Sequence, residues 1–457
     1  MSDARNRRDE GLDVPLLPRH AVTTLDEYLG SDIGGLGLRA ALDLGPSGTI
    51  DVIERSGLRG RGGAGFPTGR KWRTIASAAS PRRYVVCNAA EGEPSTFKDR
   101  ALMRANPYQL LEGVLVAAFA IGADSVYLGL KASFETELER VIRAAAEMQD
   151  AGICADCEIN VVEGPADYLY GEETALLEVI EGRTALPRLF PPYEHGLFAS
   201  DIATGWEGSA PTGAQGGRAA NPTLVNNVET LSNIPSILAL GVDWFRSRGT
   251  AESPGTIVCT VAGDVVAPDV GEVELGTPLG EVIDSVGSGV GRGRSVKAVL
   301  PGVAAPFVTD LSIPVSYEGF ERAGSAMGAG GYQVLDDTAC MVGAALAASR
   351  FLATESCGQC PPCKLGSTEI TRRLERLEAG QGDQGDVEAI DHWVRRVSDG
   401  NRCYLAVQEQ LVVGSAMATF ADEVTEHVTL GRCPAPRPVV LPRLADLHDG
   451  TVRLIAP

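Results

Sequence analysis

At 457 residues, with 44% apolar and 22% charged side chains, the chain has the make-up of a globular protein of two to four domains, which argues against extended disorder. A net charge of -20 without clustered Lys and Arg argues against nucleic acid or an anionic membrane as partner. Glycine is the outlier: its 54 copies are roughly 12% of the chain against an average near 7%, which points to loops that need positive φ or let backbone approach a ligand closely.

Residues 1–20 are charged and aperiodic and are expected to form a tail. The start has no apolar h-region, and 110–130 is interrupted by Glu112, Asp124 and glycines, so neither a signal peptide nor a membrane span is expected and the cytoplasm is the default compartment. Helix-like spacing over 23–53 leads into 57–69, where six glycines in thirteen residues predict a loop. Strands over 84–87, 125–130 and 159–162 alternate with helices over 110–121 and 134–148, which predicts βαβ units and a largely parallel sheet. Residues 194–221, rich in Gly, Ala, Ser and Thr, read as a long surface loop. Strands over 256–262, 271–275 and 296–300 around a helix at 279–286 predict a small β-rich domain with one helix. From Cys340 to about His427 the pattern is helical, and 433–457 reads as an extended proline-rich tail.

The strongest chemical signal is Glu355-Ser-Cys357-Gly-Gln-Cys360-Pro-Pro-Cys363-Lys-Leu-Gly366. Three thiols at three-residue spacing on a Gly/Pro loop can converge on one centre, as a cubane iron–sulfur cluster requires. The fourth thiolate is expected from Cys403, with Cys340 and Cys433 as competitors. Zinc is the alternative metal, although its sites more often pair two separate CxxC knuckles. Ten cysteines are too few for a disulfide scaffold, the Cys154/Cys157 pair does not complete a site, and no histidine falls in a recognisable triad.

Gly60-x-Gly62-x-x-Gly65 satisfies the dinucleotide fingerprint, but the segment before it reads as helix, so a Rossmann assignment fails. The loop is then either a structural turn or, with Arg61, Lys71 and free N–H groups, the lining of an anionic cofactor site. Cys87-Asn88-Ala-Ala-Glu91-Gly-Glu93-Pro94-Ser-Thr-Phe97-Lys98-Asp99-Arg100 follows a strand, where open α/β sheets bind ligands; a solvated charged loop is the alternative. In Tyr168-Leu-Tyr170-Gly171-Glu172-Glu173-Thr174-Ala175 the carboxylates are either ligand contacts or helix caps. Pro222-Thr-Leu-Val225-Asn226-Asn227-Val-Glu229-Thr230 is similarly open; its neutral amides suit the edge or ribityl chain of a flavin.

Taken in order over roughly residues 21–430, these five motifs resemble the NADH-oxidising flavoprotein (F) subunit of bacterial respiratory complex I, with related subunits in NAD-dependent formate dehydrogenases and NAD-reducing hydrogenases. The resemblance implies an α/β FMN-binding domain with a ubiquitin-like β-grasp (SLBB) insert and a C-terminal α-helical iron–sulfur bundle. The corresponding boundaries are 1–20 tail, 21–250 FMN/NADH domain, 251–330 SLBB domain, 331–432 helical [4Fe-4S] domain and 433–457 tail. It implies FMN held by Gly60, Arg61, Gly62, Gly63, Gly65, Lys71, Asn88, Glu91, Tyr168, Gly171, Glu172, Val225, Asn226 and Asn227. NADH would stack on the flavin beside Phe66, with Glu93 and Glu173 as the catalytic carboxylates on the nicotinamide-nucleotide side. The cluster ligands fall on Cys357, Cys360, Cys363 and Cys403.

The implied activity is hydride transfer from NADH to FMN, then single electrons to the [4Fe-4S] cluster and on to a small [2Fe-2S] subunit and a larger iron–sulfur subunit, with quinone as eventual acceptor in complex I. Such a chain would be cytoplasmic, held to the inner membrane only through its complex. Against the family pattern, Ala90 stands where Asp is usual, Gly92 where Ser is usual, Phe190 where a Lys reaches the dinucleotide and Thr74 where an aromatic lies near adenine, and loop 194–221 is longer. These departures keep open a paralogue with another donor or acceptor, or a non-catalytic iron–sulfur conduit.

Overall fold

The structure, a computed structural model, describes residues 14–154, 157–199, 220–435, 437–448 and 451–455. The start of the expected tail and most of the expected loop at 194–221 lie outside the described residues.

The chain opens with helices α1 (Leu25–Leu29), α2 (Leu36–Ser56) and α3 (Thr68–Ala76), α2 being kinked at Gly45, φ 72°, just before Pro46. The glycine loop between α2 and α3 is shorter than its composition predicts, because Thr68 and Gly69 are already helical. Next come β1 (Tyr84–Ala89), α4 (Lys98–Ala105), α5 (Pro107–Ile121), β2 (Ser125–Lys131), α6 (Glu135–Asp150) and β3 (Glu158–Gly164).

α5 is apolar on nearly every face and is buried at all but one position. Its Glu112, which breaks the apolar run, is satisfied by the Tyr28 hydroxyl at 2.6 Å and the N–H groups of Gly35 and Leu38 at 2.8 and 2.7 Å. A buried carboxylate thereby anchors the α1–α2 connection. α4 was legible only as part of a charged loop. Its Lys98, Asp99 and Arg100 are buried because each is ion-paired, Arg100 to Glu137 of α6 at 2.7 Å.

A 3₁₀ turn, Tyr168–Gly171, leads into α7 (Glu173–Ile180), followed by β4 (Thr223–Asn227), α8 (Val228–Leu240) and α9 (Val242–Arg246). The first sheet has the order β3-β2-β1-β4 and every pairing is parallel, as the βαβ pattern predicts. Strand order reverses at β1, with β2 on one side and β4 on the other, so a crevice opens at the carboxyl ends of β1 and β4.

A second sheet, order β6-β5-β8-β7, is built from β5 (Thr256–Gly263), β6 (Asp269–Glu274), α10 (Leu279–Gly287), β7 (Val296–Pro301), α11 (Tyr317–Arg322) and β8 (Gly331–Asp336). Its central β5–β8 pair is parallel and both flanks are antiparallel. It carries two helices where one was expected, and β8 lies beyond the expected limit at residue 330. β8 opens on Gly331 directly after Gly328 and Gly330, and its partners are remote in sequence, so local pattern gave it little signal.

The helical region is as expected: α12 (Met341–Glu355), α13 (Pro361–Glu378), α14 (Gln384–Val394), α15 (Leu405–Thr419) and α16 (Ala421–Leu430), around a core that also takes in Ala298, Leu300 and Leu335 of the second sheet. The expected extended tail instead ends in an antiparallel pair, β9 (Arg443–His448) with β10 (Thr451–Ile455). Four of its five prolines lie in the lead-in before residue 443. Among the described residues no helix is long and apolar enough to cross a membrane.

Candidate functional site

The glycine loop closes on itself through Gly60 N–H to the Phe66 carbonyl and Thr68 N–H to the Leu58 carbonyl, both 2.9 Å. It leans on the end of β4: a Cβ at Gly62 would lie 3.1 Å from Asn227 Cβ. Gly63 and Gly65 have φ of 113° and 62°, and a Cβ at Gly65 would meet Tyr317 at 2.4 Å. Glycine is therefore a steric requirement where the loop lines the crevice.

Arg61 of this loop is bonded within the protein. Its guanidinium is buried and donates to the carbonyls of Pro254 and Thr256 at 3.3 and 3.0 Å, while its N–H donates to Thr230 Oγ1 at 2.8 Å. It ties the loop to α8 and the second sheet, while its Nε, 3.9 Å from Glu229, makes no hydrogen bond.

Lys71 Nζ lies 2.5 Å from Glu173 Oε1, both side chains partly exposed, so the cation of one motif and the carboxylate of another meet at the start of α7. Asn88 at the end of β1 donates to the Gly171 carbonyl at 2.7 Å, which joins two motifs far apart in sequence. Glu172 caps α7, accepting from the N–H groups of Thr174 and Ala175 at 3.0 and 2.9 Å. The capping alternative therefore holds for Glu172 and not for Glu173. Glu91 likewise accepts the N–H groups of Asp99 and Arg100, both at 3.2 Å, at the start of α4; burial and the Asp99 charge raise its carboxyl above the usual range. Glu93 accepts Val303 N–H at 3.0 Å, and burial pushes its carboxyl up to about 7.

Val225 is a core residue of β4, and Asn226 accepts the Trp72 indole N–H at 2.9 Å. Asn227 is held at both ends of its amide, donating to Asp99 at 2.6 Å and accepting from Lys98 at 3.3 Å and from Glu229 N–H at 3.0 Å. Lys98 also contacts Asp99 at 2.7 Å and Glu229 at 2.8 Å without solvent exposure. This buried network of Lys98, Asp99 and Glu229 was missed as a positioning device. Its one sequence signal is helical spacing of Ala101, Leu102 and Ala105 directly after the charges.

Phe66 presents a half-exposed ring, with the Arg70 guanidinium 5.7 Å from its centroid. Phe190 and Tyr193 are also surface rings, and the Thr74 hydroxyl donates to the Arg70 carbonyl at 2.9 Å.

The four cysteines expected as cluster ligands line one cavity, with Leu169 and Pro187 on its wall. Cys357 follows α12, Cys360 precedes α13, Cys363 lies in the first turn of α13 and Cys403 just precedes α15. Gly358 supplies the positive φ, 80°, of the turn between the first two. Burial pushes the Cys403 thiol up to about 12, so a thiolate at that position needs a cationic partner, and four cysteines around one cavity fit an iron–sulfur cubane. Cys340 caps the opposite end of α12, about 22 Å away at 1.5 Å per residue, and does not compete for the fourth place.

The two sites share one short element. Leu169 of the 3₁₀ turn lines the cysteine cavity, and Gly171 of the same turn receives Asn88. Tyr168 N–H donates to Glu355 of α12 at 2.9 Å, its hydroxyl accepts from Gln408 of α15 at 2.8 Å, and its ring meets Phe351 edge-on at 5.1 Å.

A crevice at a strand reversal, lined by a glycine loop and set one turn from a four-cysteine cavity, defines an electron-transfer protein of the flavin and iron–sulfur class. Residues 53–236 match the Nuo51 FMN-binding domain and residues 343–427 the NADH-ubiquinone oxidoreductase-F iron-sulfur binding region. The F 2 subunit of NADH-quinone oxidoreductase in Rhizobium meliloti (strain 1021) is 37% identical over 411 residues, covering 87% of this chain and 93% of the relative. The NADP-reducing hydrogenase subunit HndC of Solidesulfovibrio fructosivorans is 35% identical over 423 residues, covering 90% of this chain and 82% of the relative. The crystal structure of an NAD+-reducing [NiFe]-hydrogenase in the air-oxidized state superposes with a TM-score of 0.75 at 31% identity, covering 90% of this chain and 67% of that one. The chain belongs to the family of NADH-quinone oxidoreductase F subunits.

Proposed function

We propose that the chain oxidises NADH at a bound FMN and delivers the electrons singly through a [4Fe-4S] cluster to partner iron–sulfur proteins. The chemistry supplied by FMN and the cluster when bound is conversion of a two-electron hydride donation into one-electron steps. The observation that carries the reading is the Tyr168–Gly171 turn, which contributes Leu169 to the cysteine cavity and Gly171 to the crevice.

In this reading Gly62, Gly63 and Gly65 would let backbone approach the flavin, Lys71 would supply a cation for its phosphate, and Asn88 and Asn227 would fix the strand ends at the site. Phe66 offers a face for the nicotinamide nucleotide, and Glu93 and Glu173 flank it. The second sheet is read as the SLBB insert, supported by its parallel central pair and by its place between the two matched regions. Relatives named as subunits of a quinone oxidoreductase and a hydrogenase support partner subunits here, a small [2Fe-2S] protein and a larger iron–sulfur protein, and peripheral attachment to a membrane complex.

A different electron donor is the second reading, favoured by Thr74, whose hydroxyl is turned to the Arg70 carbonyl and offers adenine no ring. Anaerobic addition of NADH to cofactor-loaded protein separates the two. Bleaching of the flavin band within the mixing time is the expected result; reduction by dithionite but not by NADH would overturn NADH as donor.

A further inference from the structure

Cys340, His427 and Cys433 have no part in the function proposed above, yet three separate segments bring them together. Cys340 caps the start of α12, His427 lies in the last turn of α16, and Cys433 follows that helix. Their ligand atoms all lie within 4.8 Å of one another, and Cys340 Sγ is 3.3 Å from His427 Nε2. Cys340 and His427 are each only 1% exposed.

The histidine is oriented as a ligand. Its Nδ1 lies 2.8 Å from the Glu423 carbonyl, which can only accept, so Nδ1 carries the proton and Nε2 presents a lone pair to the thiols. A backbone acceptor that fixes tautomer and ring angle in this way is the usual partner of a metal-bound imidazole.

We propose that Cys340, Cys433 and His427 Nε2 bind a zinc ion, with a water or small ligand in the fourth position. Two thiolates and an imidazole suit zinc, whereas calcium and magnesium require oxygen donors. On a tetrahedral ion with Zn–S near 2.3 Å and Zn–N near 2.0 Å, neighbouring ligand atoms sit roughly 3.5–3.8 Å apart, so the present cluster needs only small side-chain shifts. Binding releases the two thiol protons and leaves a buried site of zero net charge.

The site is structural. It fastens the chain leaving α16 to the start of α12, far along that helix from the cluster cysteines. The segment beyond Cys433 then crosses the molecule: Arg437 pairs with Asp264 at 2.7 and 2.6 Å, the Val440 carbonyl receives Gln333 Nε2 at 3.4 Å, and the Pro442 carbonyl receives Ser95 N–H at 2.9 Å.

The test is metal analysis of the full, cofactor-loaded chain grown with added zinc, together with zinc-edge X-ray absorption. About one zinc per chain beside the cluster iron is expected, with two sulfurs near 2.3 Å and one nitrogen near 2.0 Å. Cys433→Ser and His427→Ala should each lower zinc content at least tenfold and leave iron and flavin unchanged. A wild-type chain without zinc overturns the proposal, as does zinc retained by both variants, which would place it on the cluster cysteines. Should the variants not fold, chelation of the wild-type protein decides. Loss of zinc should make Cys340 and Cys433 newly reactive to alkylation, identified by peptide mass mapping, while iron is kept. No newly reactive thiol, or a Cys340–Cys433 disulfide in the zinc-free protein, overturns it.

Discussion

Glu93 illustrates how one side chain reports on its surroundings. It holds its proton more tightly folded than unfolded, because burial raises its carboxyl from 4.5 to about 7 against the pull of Val303 N–H and Lys98. Between these values the unfolded chain has lost the proton and the folded protein has not, so stability falls as pH rises and levels off above 7. Glu93→Gln keeps an acceptor for Val303 and removes the titration. Its melting temperature should therefore gain on wild type as pH goes from 5 to 8, by the equivalent of about 1–3 kcal/mol, reduced where the side chain keeps solvent contact. A difference between the two proteins that stays flat across this range would show the carboxylate to be ionised in the fold. The sequence placed Glu93 at a strand's end, where a ligand crevice opens, but its burial was not legible. That depends on Val303, brought over by the second sheet from 210 positions away. Arg61 is a cation in a glycine loop by sequence, and its bonds to the distant carbonyls of Pro254 and Thr256, which brace the loop against the second sheet, were not legible there.

At the scale of elements, the glycine loop was legible as a whole and not glycine by glycine. Composition marks a backbone that must come close to something, but which positions tolerate a side chain depends on neighbours from Asn227 and Tyr317. Gly65→Ala combines a φ of 62° with a Cβ 2.4 Å from the Tyr317 ring, and should cost about 1–3 kcal/mol in denaturant unfolding and weaken flavin retention. Gly60→Ala places its Cβ at an ordinary 3.5 Å from the Phe66 carbonyl and should be close to neutral in both assays. Equal losses in the two variants would mean that the loop responds to reduced flexibility and not to this contact. The parallel sheet was readable because βαβ alternation is a local signal. α4 and β8 were not, since one is held by long-range ion pairs and the other by pairing with β5 and β7.

For the whole molecule, the parallel sheet and the helical region have separate apolar clusters, and the Tyr168–Gly171 turn gives Leu169 to that of the helices and Tyr170 to one on the parallel sheet. Damage to one site should therefore leave the other standing. Cys360→Ser is expected to abolish the paramagnetic signal of the reduced cluster while at least nine-tenths of the flavin stays bound, as read by resonance and absorption on the same sample. Joint loss of both would indicate one cooperative unit. The cluster cysteines were the most legible part of the site because three of four ligands lie within seven residues; the handover turn was the least, since its role rests on Asn88, Glu355 and Gln408 arriving from elsewhere.

The segment from Arg437 to Pro442, which touches Asp264, Gln333 and Ser95, also sets an order of events during synthesis. At roughly 5–20 residues per second, these contacts become possible only some 20–90 s after the ribosome begins. Until then the nascent protein lacks this lacing between the start of α4, the second sheet and the chain leaving α16. The joint between the two sheets is therefore closed only after both have been made.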